Sequence, residues 1–456
     1  MQRAYRIVLG FAAVWLGLVW LLGARSWMQL KAPWVLSPDE FDVRKSWGPY
    51  TPFYSVQNHV PPPDGCEIAQ VNILQRHGAR FPTFGASMNI ASALGKLQSV
   101  EKYEHQSMEF LSSFVYTLGI SDLVPFGALQ SYEAGATVFG RYENLVDADN
   151  LPFVRASSGT RVVDSANNWT AGFSAASHHK YNPSLSVILS ETGNDTLENH
   201  MCPNAGTSDV QTREWLSIYA PPITARLNAW APGANLSDTE TSALISLCAF
   251  HTAASTPTAD TLSPFCALFS PSDFTSFDYY YDLDKYYYTG YGAERDLGRV
   301  QGVGYTNELL ARLTHSPVRD ETQTNRTLDA DPATFPLNRT IYADFSHDDT
   351  MIAIFAALGL FRQAQPLSTT GPDPSRTWRT HELVPFSGRM VVEKLECGDE
   401  EYVRILVNDA LQPLNFCASK DQVGLCTLSA FVQSQSYARS NGDGDWERCF
   451  SDPASA

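Results

Sequence analysis

Apolar and polar positions fall in alternating blocks along this chain, and the blocks predict strands near both ends with helices between them. Ile68 to Leu74 is a short apolar-rich run that reads as a buried strand, and the run closes at Arg76. Phe153-Val154-Arg155-Ala156 predicts a second strand, followed by the turn Ser157-Ser158-Gly159-Thr160 and a helix starting near Val162. Ser186 to Leu189 predicts a third. Ile341 to Ser346 predicts a strand that runs straight into His347-Asp348-Asp349, and Thr350 to Leu358 is a strongly apolar helix stopped at Gly359. Arg389 to Cys397 and Glu401 to Val407 add a further sheet segment. Between these ends, residues 90 to 145 read as helices, with one-sided apolar faces at Met108 to Leu118 and Ser131 to Tyr142. Residues 207 to 255 read the same way, interrupted around Pro232-Gly233. Tyr279 to Tyr291 sets seven tyrosines around Asp282, Asp284 and Lys285, mostly as core or interface material. No internal repeat is evident. This order predicts an α/β domain carrying a helical insertion.

The N-terminus breaks the pattern. Arg3 and Arg6 precede an unbroken apolar run from Ile7 to Gly23, which reads as a signal peptide or a signal-anchor. Residues 24 to 65 are rich in Pro, Trp and Ser and read as an extended lead-in, stiffened by Pro61-Pro62-Pro63. The expected division is 1–30 as targeting segment, 31–95 as the first part of the α/β domain, 96–150 and 200–300 as the mostly helical domain, and 151–199 with 301–456 as the α/β remainder.

Composition narrows the function. The chain has 456 residues, 44% of them hydrophobic, which is ample for a packed core. A net charge of −17 makes a broad nucleic-acid surface improbable. Eight cysteines, with no C-x-x-C pair among them, fit four disulfides in an oxidising compartment and argue against a zinc ribbon. Eight cysteines still allow 105 pairings. Sequons at Asn168, Asn194, Asn235, Asn325 and Asn338 suggest a glycoprotein when read with the export signal.

The candidate chemistry sits at strand ends, where open α/β sheets hold their ligands. Arg76-His77-Gly78-Ala79-Arg80 places one candidate nucleophile between two permanent cations. Arginine forks neutralise a phosphate ester, and nearby cations keep a histidine unprotonated for attack. As an isolated turn, the same five residues read equally well as solvated surface. His347-Asp348 opens a helix, where a phosphate is favoured, and a carboxylic acid there suits protonation of a leaving oxygen at mildly acidic pH. The bland alternative is helix capping by Asp348 or Asp349. Arg155, leaving a strand beside Ser157-Ser158-Gly159, is a candidate third cation, although a surface ion pair explains it as simply.

Together these segments resemble the histidine acid phosphatases, and in particular the fungal phytases of the 3-phytase type. The resemblance rests on Arg76-His77-Gly78-Ala79-Arg80 with Phe81-Pro82-Thr83, and on Ala343-Asp344-Phe345-Ser346-His347-Asp348. It extends through Gln301-Gly302-Val303-Gly304-Tyr305, Leu313-Thr314-His315-Ser316-Pro317-Val318 and Pro332-Ala333-Thr334-Phe335-Pro336-Leu337-Asn338. It implies a phosphoglycerate-mutase-like α/β sandwich with a smaller helical inserted domain. It implies His77 as the nucleophile, Asp348 as the proton donor, and Arg76, Arg80, Arg155 and His347 as ligands of the transferring phosphate. Thr83, Tyr50 and Lys285 are the further substrate-binding candidates. It also implies the disulfides Cys66–Cys397, Cys202–Cys449, Cys248–Cys266 and Cys417–Cys426. The expected partner is a small phosphate monoester, with no cofactor and no metal, no nucleic acid, and membrane contact only through an N-terminal anchor. Oligomeric state is left open.

The chain departs from the phytase pattern near the expected pocket. Phe84 to Ile90 contains no lysine, Lys96 being the first, and the paired-lysine segment is here Asp284-Lys285. Pro49 stands where a glutamine is often found. Phytate hydrolysis is therefore the first expectation, and broad acid phosphatase activity with weak action on phytate the second. A non-catalytic polyphosphate-binding glycoprotein is the alternative of another class.

Overall fold

Strand β1 (Cys66–Arg76) is central to a single mixed sheet. Its neighbours are β2 (Phe153–Ser157), β3 (Leu185–Leu189), β4 (Ile341–Ser346), β5 (Arg389–Cys397), β6 (Glu400–Val407) and β7 (Ala410–Leu411), in the spatial order β3-β2-β4-β1-β5-β6-β7. The short β8 (Cys426–Thr427) pairs with β6. Pairing is parallel from β3 through β2 and β4 to β1, then antiparallel from β1 outward through β5 and β6. The structure is a computed structural model that describes residues 41–417 and 424–451. The N-terminal apolar segment lies outside the described residues. Among those described, no helix is long and apolar enough to cross a membrane.

The central strands are buried on both faces, as parallel strands covered on both sides must be. Val71, Ile73, Ile341, Ala343, Phe345 and Val154 face one apolar layer. Leu74, Tyr342, Met390 and Val392 alternate onto the other. The first layer is covered by the helices Pro125–Tyr142 and Thr160–Ala176, through Ala134, Val138, Trp169 and Phe173. In chain order the main helices are α1 (Phe84–Gln98), α2 (Pro125–Tyr142), α3 (Thr160–Ala176), α4 (Asp209–Trp230), α5 (Asp238–Ser255), α6 (Pro271–Tyr288), α7 (Val303–Thr314) and α8 (Asp348–Leu358). The break between α4 and α5 falls at Pro232-Gly233, and the tyrosine-rich stretch is the second half of α6.

Met108 to Leu118 is not the predicted helix. Only a 3-10 turn forms, at Gln106–Ser112, and the chain then runs irregularly. The hydroxyls of Ser112 and Ser113 donate back to the carbonyls of Glu109 and Phe110, at 2.7 and 3.3 Å, and so compete with helix propagation. The apolar periodicity has another use: Phe110 and Phe114 pack edge-on against Phe265, with ring centroids 5.0 and 4.8 Å apart.

All four disulfides form as the resemblance implies: Cys66–Cys397, Cys202–Cys449, Cys248–Cys266 and Cys417–Cys426. The first joins register partners on β1 and β5 across 331 residues, and the second spans 247. Bridges that close loops this long restrict the unfolded chain most. Disulfides of this kind form and persist in oxidising environments.

Candidate active site

The carboxyl ends of β1, β2 and β4 deliver their following residues to one cavity of about 250 Å³. Arg80, Thr83, Arg161, His347, Asp348, Asp349 and Lys285 are among the residues that line it, with Tyr50 and Tyr281 on one wall. Arg76 and His77 lie behind this lining, 0% and 1% exposed. Every site residue expected from the sequence is thus at the cavity or directly behind it, except Arg155.

The turn after β1 is held by backbone on all sides. The N–H of His77 donates to Ser346 on β4 (3.1 Å), and its carbonyl accepts from Ser387 (3.0 Å). Gly78 is required by close approach: a Cβ there would lie 2.1 Å from the carbonyl oxygen of Gly127 in α2. His77 Nδ1 meets the carbonyl of Gly78 at 2.8 Å. A carbonyl only accepts, so Nδ1 carries the hydrogen and Nε2 keeps its lone pair. Burial, followed by the charges of Arg76 and Arg161, holds the His77 imidazole well below its usual range. This is the unprotonated state a nucleophile needs.

Arg76 is anchored by one end of its guanidinium, where Nη1 donates to the carbonyls of Val384 (2.8 Å) and Pro49. Its Nη2 faces Asp348 at 3.2 Å. Arg80 bonds the carbonyl of Phe81 at 2.9 Å. The buried Nε–H groups of Arg80 and Arg161 have no protein acceptor. Unused guanidinium donors in a walled cavity suit a tetrahedral anion.

Arg155 is elsewhere. It pairs in register with Asp344 on β4, on the sheet face opposite Val154 and Ala156. There its Nε donates to Asp344 at 2.7 Å and its Nη2 to Glu308 at 2.6 Å, while Arg312 holds the second oxygen of Asp344 at 2.6 Å. Its donors are consumed in a buried ion cluster, so it is not the third cation of the cavity. Arg161, the second residue of α3, takes that place, with Nη2 lying 3.1 Å from His347 Nδ1. Sequence reasoning passed over it, although the signal was present: Arg161 follows the strand end, whereas Arg155 is inside the strand.

His347 is the N-cap residue of α8, and neither aspartate after it caps the helix. Both its ring nitrogens are engaged, Nε2 by Glu191 at 2.9 Å and Nδ1 by Arg161. Asp348 and Asp349 occupy the first turn of α8, and Lys285 from α6 bridges them at 3.0 and 2.7 Å. Burial alone would raise the Asp348 carboxyl, but Arg76, Lys285 and Arg80 together hold it well below the usual carboxylate range. Those charges favour the ionised carboxylate, so a protonated Asp348 at mildly acidic pH requires that they be offset. Asp349 goes the other way: burial and the neighbouring Asp348 outweigh Lys285 and push it up to about 7. Among the described residues, no cluster of His, Cys, Asp and Glu is arranged to hold a metal.

The histidine phosphatase superfamily (branch 2) profile matches residues 67–408. A Phytase A of Aspergillus terreus is 41% identical over 430 residues, covering 90% of this chain and 91% of that one. A Phytase A of Neurospora crassa is 39% identical over 475 residues, covering 90% and 92%. The crystal structure of the phytase from D. castellii superposes with a TM-score of 0.74 at 22% identity, covering 90% of this chain and 88% of that one, which supports the fold. The fold and the cavity are those of a phosphatase built around a histidine. The chain belongs to the histidine phosphatase superfamily, branch 2.

Proposed function

We propose that the protein hydrolyses phosphate monoesters through a phosphohistidine on His77, and that its substrate is phytate, myo-inositol hexakisphosphate. One observation carries this reading: His77, with its Nε2 lone pair free, sits behind a cavity that also receives Arg80, Arg161 and Asp348, with Arg76 Nη2 3.2 Å from the aspartate. Nε2 attacks phosphorus while the bond from phosphorus to the ester oxygen breaks. The arginines hold the non-bridging oxygens, where the transition-state charge gathers. The leaving alkoxide takes a proton from Asp348. Water then attacks the phosphohistidine, gives its proton to Asp348, and inorganic phosphate leaves.

Asp348 must gain its proton on binding. The incoming phosphate offsets Arg76 and Lys285, the same charges that hold the carboxyl down. A monoester bound as the monoanion also brings a proton with it, its second pKa being about 6. On this reading, turnover at acidic pH needs no protonated aspartate before substrate binds.

The test is rapid quench with labelled phytate. The wild type should trap an acid-labile phosphoenzyme, and His77→Ala should trap none, with kcat lower by at least about 10³. Wild-type turnover in His77→Ala would remove the nucleophile assignment. A second reading, broad specificity with weak phytate activity, is favoured by the cavity wall itself. Glu198, Asp284 and Asp349 line it, and the first turns of α1 add no cation. A kcat/KM bias toward a small aryl phosphate over phytate would select it.

We further infer export, through a cleaved signal or an anchor at residues 1–30, and glycosylation. Asn194, Asn235 and Asn338 have the exposed side chains that support modification. Asn168 is the least favourable of the sequons, since it lies inside α3.

A further inference from the structure

Glu191 lies on the loop after β3 and belongs to no motif singled out in the sequence. A single oxygen of its carboxylate, Oε1, receives three donors. These are the backbone N–H of Gly159 at 2.8 Å, Nε2 of His347 at 2.9 Å and the Ser157 hydroxyl at 3.0 Å. The donors come from the end of β2, the turn before α3 and the N-cap of α8. The carboxylate therefore ties together the segments that deliver Arg161 and His347 to the cavity.

The backbone is shaped to admit it. A Cβ on Gly159 would lie 2.7 Å from Glu191 Oε1 and 3.4 Å from His347 Cε1. Gly159 has φ −56, a conformation open to any residue, so the glycine serves this close approach and not a backbone requirement.

The consequence follows from donor and acceptor roles. The ionised carboxylate can only accept, so His347 Nε2 carries the hydrogen and Nδ1 keeps a lone pair. That lone pair faces Arg161 Nη2, which can only donate, at 3.1 Å. Fixing one ring nitrogen thereby sets the other as the seat of the guanidinium. The hydrogen bond from His347, with those of Ser157 and Gly159, holds Glu191 down to about 2, which keeps it ionised through the acidic range.

We propose that Glu191 is a positioning residue for phosphate binding: through His347 it holds the Arg161 guanidinium at the cavity wall. The proposal rests on the phosphate-binding reading of the site. It does not require Glu191 to touch substrate.

Four variants test it: Glu191→Ala, Glu191→Gln, Arg161→Ala and the double variant Glu191→Ala/Arg161→Ala. The readouts are KM and kcat for phytate, and the dissociation constant of inorganic phosphate by calorimetry. Glu191→Ala should raise KM and weaken phosphate binding together by about tenfold, the effect of losing one orienting contact behind a ligand group, with kcat falling less. Glu191→Gln, whose amide oxygen still accepts, should come back to within about threefold of wild type. In the Arg161→Ala background, Glu191→Ala should add nothing, because both act through one guanidinium. Gly159→Ala, which leaves the carboxylate in place but crowds it, should reproduce the KM rise and serves if Glu191→Ala does not fold. Unchanged phosphate affinity in Glu191→Ala, or a full additional loss in the double variant, overturns the proposal. A protein that turns over no phosphate monoester would sink the hydrolase reading, while phosphate titration would still report on Glu191.

Discussion

Arg155 and Arg161 are six residues apart and have separate roles, and strand parity explains the difference. In β2, Val154 and Ala156 face the layer covered by α2 and α3, so Arg155 must face the opposite side. It lands on its register partner Asp344, with Glu308 and Arg312 completing a cluster in which the two arginines are 1% exposed. Arg161 follows the turn at the strand end, where the sheet opens to ligands. His77, Arg76 and Arg80 were legible in sequence because motif and strand end coincide. Arg161 was passed over: the predicted turn Ser157-Ser158-Gly159-Thr160 already put it beyond the strand end, but the resemblance assigned the role to Arg155. Glu191 has no local signal at all, since its partners come from three segments. The two arginines predict opposite phenotypes. Arg155→Ala strips one partner from buried Asp344 and Glu308 and should destabilise by about 3–5 kcal/mol. Arg161→Ala should leave thermal unfolding near wild type and raise KM for phytate by at least about tenfold, as loss of a charged hydrogen-bond donor to substrate does. Calorimetric melting beside steady-state kinetics separates them, and a stable but inactive Arg155→Ala would reverse the assignment.

At the level of elements, the cavity depends on where α8 begins and what α6 brings to it. Periodicity predicted a helix from Thr350, because apolar positions mark only the part that packs. The helix starts two residues earlier, so Asp348 and Asp349 occupy its positive first turn. Lys285 reaches them from α6, contacting Asp284, Asp348 and Asp349 at 3.4, 3.0 and 2.7 Å. Three carboxylates around one ammonium cannot all stay ionised cheaply, and Asp349 is the one pushed up, to about 7. Below that pH it is uncharged, and above it a further negative charge faces the bound phosphate. Asp349→Asn fixes the uncharged form. At pH 5 its KM for phytate should match wild type, and at pH 8 it should be lower than wild type by about threefold, the size of one added charge at a screened wall. An equal KM ratio at both pH values would place the titration elsewhere.

Over the whole molecule, the alternation of strands and helices was readable because the central strands are apolar on both faces, while the edge strand β3 buries Val187 and Leu189 and leaves Ser186 and Ile188 exposed. What patterning does not show is charge buried far from the cavity, and that sets how stability responds to pH. Burial, as the largest cause in each case, raises Asp195 and Asp282 to about 6 and Asp329 to about 8. A carboxyl raised on folding contributes stability that is present below its unfolded value, near 3.8, and is lost as pH climbs through the raised one. Asp344 works in the opposite sense: burial would raise it, but Arg155 and Arg312 bring it to about 2, so its contribution is complete above 3.8 and lost as pH falls toward 2. The two families of carboxyls meet at about pH 4, while His77, held below its ordinary value of 6.5, works against the raised ones: its contribution is complete above 6.5 and is lost as pH falls. A net charge of −17 at pH 7 adds self-repulsion on the neutral side and pushes in the same direction as the raised carboxyls. The three raised carboxyls outweigh His77, so Tm should be several degrees lower at pH 8 than at pH 5, and it should fall again toward pH 2. Asp282→Asn should flatten the decline between pH 5 and 8 by removing a group that must ionise while buried. A melting temperature that stays level or rises from pH 5 to pH 8 would show that these carboxyls titrate near their ordinary values in the folded protein.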